Sequence, residues 1–339
     1  MLFPSFFLLL SLTTLLNSIS LLSSPYLSPT TFLPDYQNML LNFKIFIYKP
    51  NAALTYNSPQ ETLFYTSLRN SPFVTQNAEE AHLFFIPFSS DLSTTAVERV
   101  VKGLRTELPY WNRALGADHV FLSCSGLRAG SDRTIVELNK NSVQISCFPT
   151  RAGMLIPHKD ITLPPLATLH APIRNTTSVL GYFRDRGAKE SSLAKELSDD
   201  PDFLVESEPS DEITYADRLS RSKFCLFDNG IDVSGIGEAL RFGCVPVVIA
   251  DRPMQDLPFM DVLRWQEIAV FVGSGGGAKE LKLELTRAGG EGYERIKILG
   301  VEASRHFVWN ESPQPLDCFN TVMYQLWLRR HAIRYVTRE

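Results

Sequence analysis

Between Asp228 and Glu238 the chain reads Asp228-Asn229-Gly230-Ile231-Asp232-Val233-Ser234-Gly235-Ile236-Gly237-Glu238. Three glycines in this stretch let a backbone turn tightly and approach a ligand closely. An apolar run, Phe224-Cys225-Leu226-Phe227, precedes it, and a helix-type segment, Gly237 to Phe242, follows. The start of such a helix offers free N–H groups and a positive dipole end to a phosphate. Glu238, in its first turn, has the two carboxylate oxygens needed to accept hydrogen bonds from a ribose diol. These parts together suit a nucleoside diphosphate-sugar. A first-turn Glu is also favoured by the helix dipole alone. The glycine spacing is neither G-x-G-x-x-G nor a Walker sequence, so dinucleotide and ATP folds gain no support.

The elements that position this loop follow from the periodicity. Lys44 to Tyr48, Ala81 to Pro87 and Val120 to Leu122 have the composition of buried strands, with helical patterns at Glu61 to Arg69 and Thr94 to Leu108 between them. A second series begins at Ser178 to Phe183. It continues through helices at Glu190 to Leu197 and Tyr215 to Ser222 and strands at Asp202 to Glu206, Phe224 to Phe227 and Val245 to Ala250. Alternating strands and helices predict parallel sheets covered on both faces. Ligands then bind outside the carboxyl ends of the strands. That rule selects Ser89, Ser90 and Asp91 after one strand, and Ser123, Cys124 and Ser125 after another. Asp118 and His119 precede a strand and read as structural. The Pro- and Gly-rich stretch from Pro149 to Pro172 separates the two series. Leu316 to Arg334 reads as a closing helix, and ordered structure is expected from Phe43.

The 339 residues are enough for two domains, and 44% apolar against 21% charged residues describe ordinary globular protein. A net charge of −4 with no basic stripe argues against a nucleic-acid partner. None of the five cysteines, Cys124, Cys147, Cys225, Cys244 and Cys318, forms a C-x-x-C pair, so a structural zinc site has little support. Cys225 and Cys244 lie in apolar runs and read as buried, inert thiols. Asp200-Pro201-Asp202 has the D-x-D form of metal-dependent transferases, but it sits in an acidic, surface-type run and reads as a solvated loop. From Leu2 to Leu22 the chain carries no charge and is long enough to span a bilayer, as a signal-anchor or a cleaved signal peptide. Sequons at Asn175 and Asn310 agree with a lumenal body.

Several runs resemble the exostosin-type glycosyltransferases, numerous in plants. They are Ser222 to Leu226, Glu238 to Ile249 and Leu257 to Trp265, with Ala81 to Phe88, Pro109 to Arg113 and Gly116 to His119 upstream in the same order. The resemblance covers roughly Phe43 to Val272. It implies a GT-B fold, two Rossmann-like domains facing across a cleft. The expected division is an anchor or signal over 1–22, a stem over 23–42, an acceptor-side domain over 43–165, a nucleotide-sugar-binding domain over 166–315 and a C-terminal helix over 316–339. The implied activity is inverting transfer from a UDP-sugar to a cell-wall or surface polysaccharide of the xyloglucan, pectin or xylan type. UDP-sugar would be a co-substrate, with no tightly bound cofactor and no required metal. The implied setting is the Golgi membrane, single-pass type II, with transferase complexes as further partners.

In such a fold Glu238 would hold the nucleotide ribose, and Asp228, Ser234 and Gly235 would line the diphosphate and sugar. The family commonly carries an Arg shortly before that Glu; here Ser234-Gly235-Ile236-Gly237 stands in its place. Arg184 and Arg186 are candidate replacements, though they also read as a solvated pair beside Asp185. Inverting transfer needs a base for the acceptor hydroxyl; Asp91 is the candidate, with a helix N-cap as its rival role. The missing Arg leaves open a catalytically silent homologue that binds glycan or scaffolds active transferases. A carboxylate-pair hydrolase is a third class, for which the sequence offers no compact acid pair.

Overall fold

The computed structural model describes residues 24–50, 53–127, 132–151, 153–167, 177–187, 191–229 and 231–333. The chain opens with α1 (Phe32–Asn42) and then builds a first α/β unit. Its elements run β1 (Ile45–Ile47), α2 (Pro59–Arg69), β2 (Val74–Thr75), β3 (Leu83–Ile86), α3 (Thr94–Glu107), α4 (Tyr110–Ala114), β4 (His119–Leu122), α5 (Arg133–Asn141), β5 (Val143–Cys147) and β6 (Ile161–Leu163). The six strands are ordered β2-β1-β3-β4-β5-β6, and every pair is parallel. Strands β3 and β4 are buried along their whole length. This is the expected result of covering both faces of a parallel sheet with crossover helices.

A second unit contains β7 (Val179–Arg184), α6 (Ser192–Ser198), β8 (Phe203–Glu206), α7 (Glu212–Arg221), β9 (Ser222–Asp228), α8 (Ile236–Phe242), β10 (Val245–Ile249), β11 (Val270–Val272), α9 (Gly277–Ala288) and α10 (Tyr293–Ala303). Its strand order is β11-β10-β9-β7-β8, again parallel throughout. Phe183, Phe224, Val247, Ala194 and Leu285 are fully buried in one cluster within it. The chain then returns to the first unit, which comprises Tyr36–Ala167, Met254–Asp261 and Arg305–Glu339. Here α11 (Cys318–Arg329) packs with β6, and Arg329 donates to Asp261 at 2.6 Å and to the Lys159 carbonyl at 2.9 Å.

Local chemistry explains the element ends. Ser58 and Glu61 form a capping box at the start of α2, with Pro59 in the first turn. Asp211 caps α7 by accepting from the Ile213 and Thr214 amides, both at 3.0 Å. Gly243, at φ 69°, ends α8 in the left-handed conformation that a Cβ disfavours.

Order begins earlier than expected. Residues 24–42 are not a free stem: Tyr26 and Phe32 are buried and stack at 4.1 Å, and the Leu27 amide bonds the Val262 carbonyl at 2.9 Å. Two aromatic rings in a Ser/Pro-rich run bury enough apolar surface to order it. Strands β5 and β6 lie where the sequence pattern faded. In β5 the polar Gln144 and Ser146 are buried and bonded to one another at 2.6 Å, so polarity there masks a core strand. Cys225 and Cys244 are not inert thiols, because they form a disulfide, as do Cys124 and Cys147; Cys318 is buried and unpaired. Among the described residues no helix is long and apolar enough to cross a membrane. The apolar segment 2–22 and the sequon at Asn175 lie outside the described residues.

The Cys225–Cys244 bridge joins the middle of β9 to the residue that leads into its neighbour β10, across a separation of 19 residues. Closing such a loop restricts the unfolded chain by about 2–4 kcal/mol. Replacing both cysteines with alanine is expected to lower stability by about that amount in a denaturant titration, with the fold retained.

Candidate active site

The strand order of the second unit reverses between β7 and β9, because β8 lies outside β7 while β10 and β11 lie outside β9. Helix α7, which links β8 to β9, packs on both β7 and β9. A reversal of this kind opens a crevice at the carboxyl ends of the two diverging strands. Arg184 is the last residue of β7, Asp228 the last of β9, and the loop to α8 lies above them.

That loop folds on itself. The Asp228 carbonyl accepts from the Ile231 amide at 2.9 Å and the Asp232 amide at 3.0 Å. Asp232 then acts as the hub. One oxygen accepts from the Ser234 amide at 2.9 Å and hydroxyl at 2.7 Å; the other takes the Arg184 fork, with Nε at 2.8 Å and a terminal nitrogen at 2.6 Å. Arg184 also donates to the Ser234 hydroxyl at 3.1 Å and lies 4.9 Å over the Tyr215 ring. Burial pushes the Asp232 carboxyl up. The Ser234 hydroxyl, the Arg184 charge and the Ser234 amide outweigh it and hold the group below the usual carboxylate range.

Gly235 precedes α8 without any side-chain cap. A Cβ at this position would sit 2.5 Å from the Tyr215 hydroxyl and 3.2 Å from an Arg184 nitrogen, so any larger residue would displace the ends of those two side chains. The half-buried Glu238 receives the Tyr215 hydroxyl at 3.1 Å. Burial first, then the Glu238 charge, raises the Tyr215 phenol, which keeps it a proton donor to that carboxylate. The structure therefore gathers Arg184, Asp228, Ser234, Gly235 and Glu238 at one strand-end crevice. Arg184 is not a solvated partner of Asp185: it turns inward, and Asp185 instead accepts from the Gly187 amide at 3.1 Å and the Ser191 amide at 2.7 Å. Arg186 is exposed. Asp232 and Tyr215 escaped the sequence reading. Asp232 stood inside the loop already singled out, while Tyr215 lies 23 residues before Glu238 and carries no local signal.

Asp200 and Asp202 lie at the opposite edge, ahead of β8, each 2.7 Å from Lys282. Among the described residues no group of three or more His, Cys, Asp or Glu is placed to hold a metal ion.

In the first unit the residues selected by the strand-end rule frame a cavity of about 320 Å³, lined by Ser89, Ser90, Ser123 and Ser125 among others. Asp91 is exposed beside it and accepts from the Thr55 hydroxyl at 3.4 Å. It does not cap α3; Ser93 does, accepting from the Ala96 amide at 3.3 Å. Glu61, missed in the sequence although its capping box is legible there, is buried. It ties the loops together by accepting from the Ser90 hydroxyl and the Cys124 amide, both at 2.7 Å. Asp118 and His119 are enclosed in the core, where His119 bridges Asp118 at 2.7 Å and Tyr48 at 2.9 Å. Asn310 is half-buried, with its amide donating to Asp317 at 3.1 Å.

Residues 39–276, more than half the chain and spanning the β7/β9 crevice, match the model of the exostosin GT47 domain. The chain belongs to the exostosin GT47 family. It is a glycosyltransferase. A protein named a probable glycosyltransferase from Arabidopsis thaliana is 28% identical over 346 residues, 91% of this chain and 73% of that one. A probable beta-1,4-xylosyltransferase of the same plant is 28% identical, covering 83% and 77%. A probable glucuronosyltransferase of Oryza sativa subsp. japonica is 27% identical, covering 84% and 77%. For this GT47 member the tight packing around Gly235 makes a specific demand. Gly235→Ala is expected to destabilise the protein by about 1–3 kcal/mol, as the Tyr215 hydroxyl and Arg184 are pushed from the added methyl. Scanning calorimetry of the variant would measure it.

Proposed function

We propose that this protein transfers a sugar from a UDP-sugar, with inversion, onto a cell-wall or surface polysaccharide of the xyloglucan, pectin or xylan type. One observation carries the donor half of this reading: Arg184, Ser234, Gly235, Tyr215 and Glu238 converge where the strand order reverses. In this reading Glu238 holds the ribose diol. Ser234, Gly235, Asp228 and the start of α8 receive the diphosphate. Arg184, arriving from β7, supplies the charge that the family's loop Arg would bring, and Arg186 stands outside it. The departing UDP is then stabilised by fixed donors already in place before reaction, and the chemistry needs no metal. That the curated relatives include proteins named for xylosyl and glucuronosyl transfer supports a polysaccharide acceptor.

The first unit would hold the acceptor. Asp91, exposed at the carboxyl edge of β3, is the proposed base. Replacing it with Asn is expected to lower kcat by about 10²–10⁴-fold with donor affinity unchanged; retained turnover would remove Asp91 from the mechanism. We place the protein in the Golgi membrane, anchored through residues 2–22 with its body in the lumen and Asn175 and Asn310 as glycan sites. The two disulfides support an oxidising compartment.

Titration with UDP and a panel of UDP-sugars tests the donor site, with Glu238→Ala and Tyr215→Phe alongside. Glu238→Ala is expected to abolish measurable binding. Tyr215→Phe is expected to bind more weakly and to lose most of its preference for UDP over 2′-deoxy-UDP, since the phenol acts through the ribose-holding carboxylate. A folded protein that binds no uridine nucleotide would overturn the donor assignment.

A further inference from the structure

A cavity of about 740 Å³ in the first unit runs beside the edge strand β2 and reaches the carboxyl end of β1, next to the reversal of strand order between β1 and β3. Its walls carry Tyr56, Tyr65, Thr62, Thr66, Lys49 and Arg69. The Tyr56 and Tyr65 rings lie 5.3 Å apart, and Arg69 sits 5.9 Å over the Tyr65 ring. The Tyr56 hydroxyl is buried and, among the described residues, has no hydrogen-bond partner. An orphaned hydroxyl of this kind calls for a ligand atom or water to complete it. Aromatic faces interleaved with hydroxyls suit a sugar ring, whose C–H faces are apolar and whose edges are polar.

The charge at this cavity is one-sided. Among the described residues no Asp or Glu lines it, the carboxylate acting on Tyr56 being the buried Glu61. Lys49 and Arg69 are exposed, and among the described residues neither is held in an ion pair. The whole chain is acidic, at −4, so two unneutralised cations on the lining of one cavity do not simply reflect the background. The adjoining cavity, about 600 Å³, shares Tyr48 and Lys49 but adds Glu107 to Arg99 on its lining, so its positive excess is one charge rather than two.

We propose that the larger cavity is an acceptor subsite for a carboxylated glycan, a polysaccharide stretch bearing uronic acid. Tyr56 would meet a sugar face, Thr62 and Thr66 its hydroxyls, and Lys49 and Arg69 carboxylates along the chain. This rests on the acceptor role proposed above for the first unit. It is independent of the donor crevice, which the UDP titration reads separately.

The test titrates the intact protein with an oligogalacturonide and a cello-oligosaccharide of equal length. The acidic oligosaccharide is expected to bind about tenfold or more tightly at low ionic strength, with the advantage shrinking as salt is raised. Lys49→Gln combined with Arg69→Gln should erase that advantage, Arg69→Lys should keep it, and Arg69→Glu should turn it into a preference for the neutral chain. Equal affinity for the two oligosaccharides, or an acid preference that survives the double replacement, would overturn the proposal. UDP binding that persists in that protein would leave the donor assignment standing.

Discussion

Parallel strands cannot be joined by tight turns, so each must be followed by a crossover that returns the chain to the other end of the sheet. In the second unit the crossovers leave from both sides of β7, and from that single constraint the site follows. With β8 on one flank of β7 and β9 on the other, the carboxyl ends of β7 and β9 stand together while the segments that follow them diverge. Arg184 and Asp228 occupy those two ends. Neither could reach the other's loop if β8 had been inserted between them. The hydrophobic core enforces this order, because Phe183, Phe224 and Val247 are buried in one cluster and fix the register of the central strands.

Within the crevice the balance of charge matters more than its sum. Arg184 is buried, and a buried guanidinium persists only with partners. Asp232 supplies them, and in doing so also orders the Ser234 amide and hydroxyl. Asp232 therefore holds the donors in place at the cost of competing for them. In the proposed donor site a diphosphate, bringing more charge than one carboxylate, would draw on Arg184 while Asp232 keeps the Ser234 turn. Tyr215 links this pair to Glu238 through its ring on one side and its hydroxyl on the other. The diphosphate and ribose halves of the proposed donor site are thus mechanically joined by one side chain.

The first unit shows the same economy with a different carboxylate. Glu61 begins as a capping residue of α2 and ends as the tie between the loops after β3 and β4. The serines that those loops carry are held as a frame before any ligand arrives. This kind of support lets loop residues act with the precision of residues on rigid elements.

The alternation of strands and helices, the buried strands and the glycine-rich loop before Glu238 were all readable in the residues themselves, because period and composition report local geometry. So was the family, since several motifs recur in one order. What the chain could not announce was any relation between distant residues. Arg184 looked like half of a solvated pair until the strand order placed it against Asp232, 48 residues on. Cys225 and Cys244 looked like inert core thiols until β9 and β10 became neighbours. Strand β5 was hidden because its buried polar residues satisfy one another, which no period-based reading registers. Tyr26 and Phe32 lay in a run with the composition of a linker, and only tertiary contact made them core. Sequence determined the elements and the chemistry available to them. Tertiary structure decided which charges meet, because pairing energy depends on distance through space and not on separation along the chain.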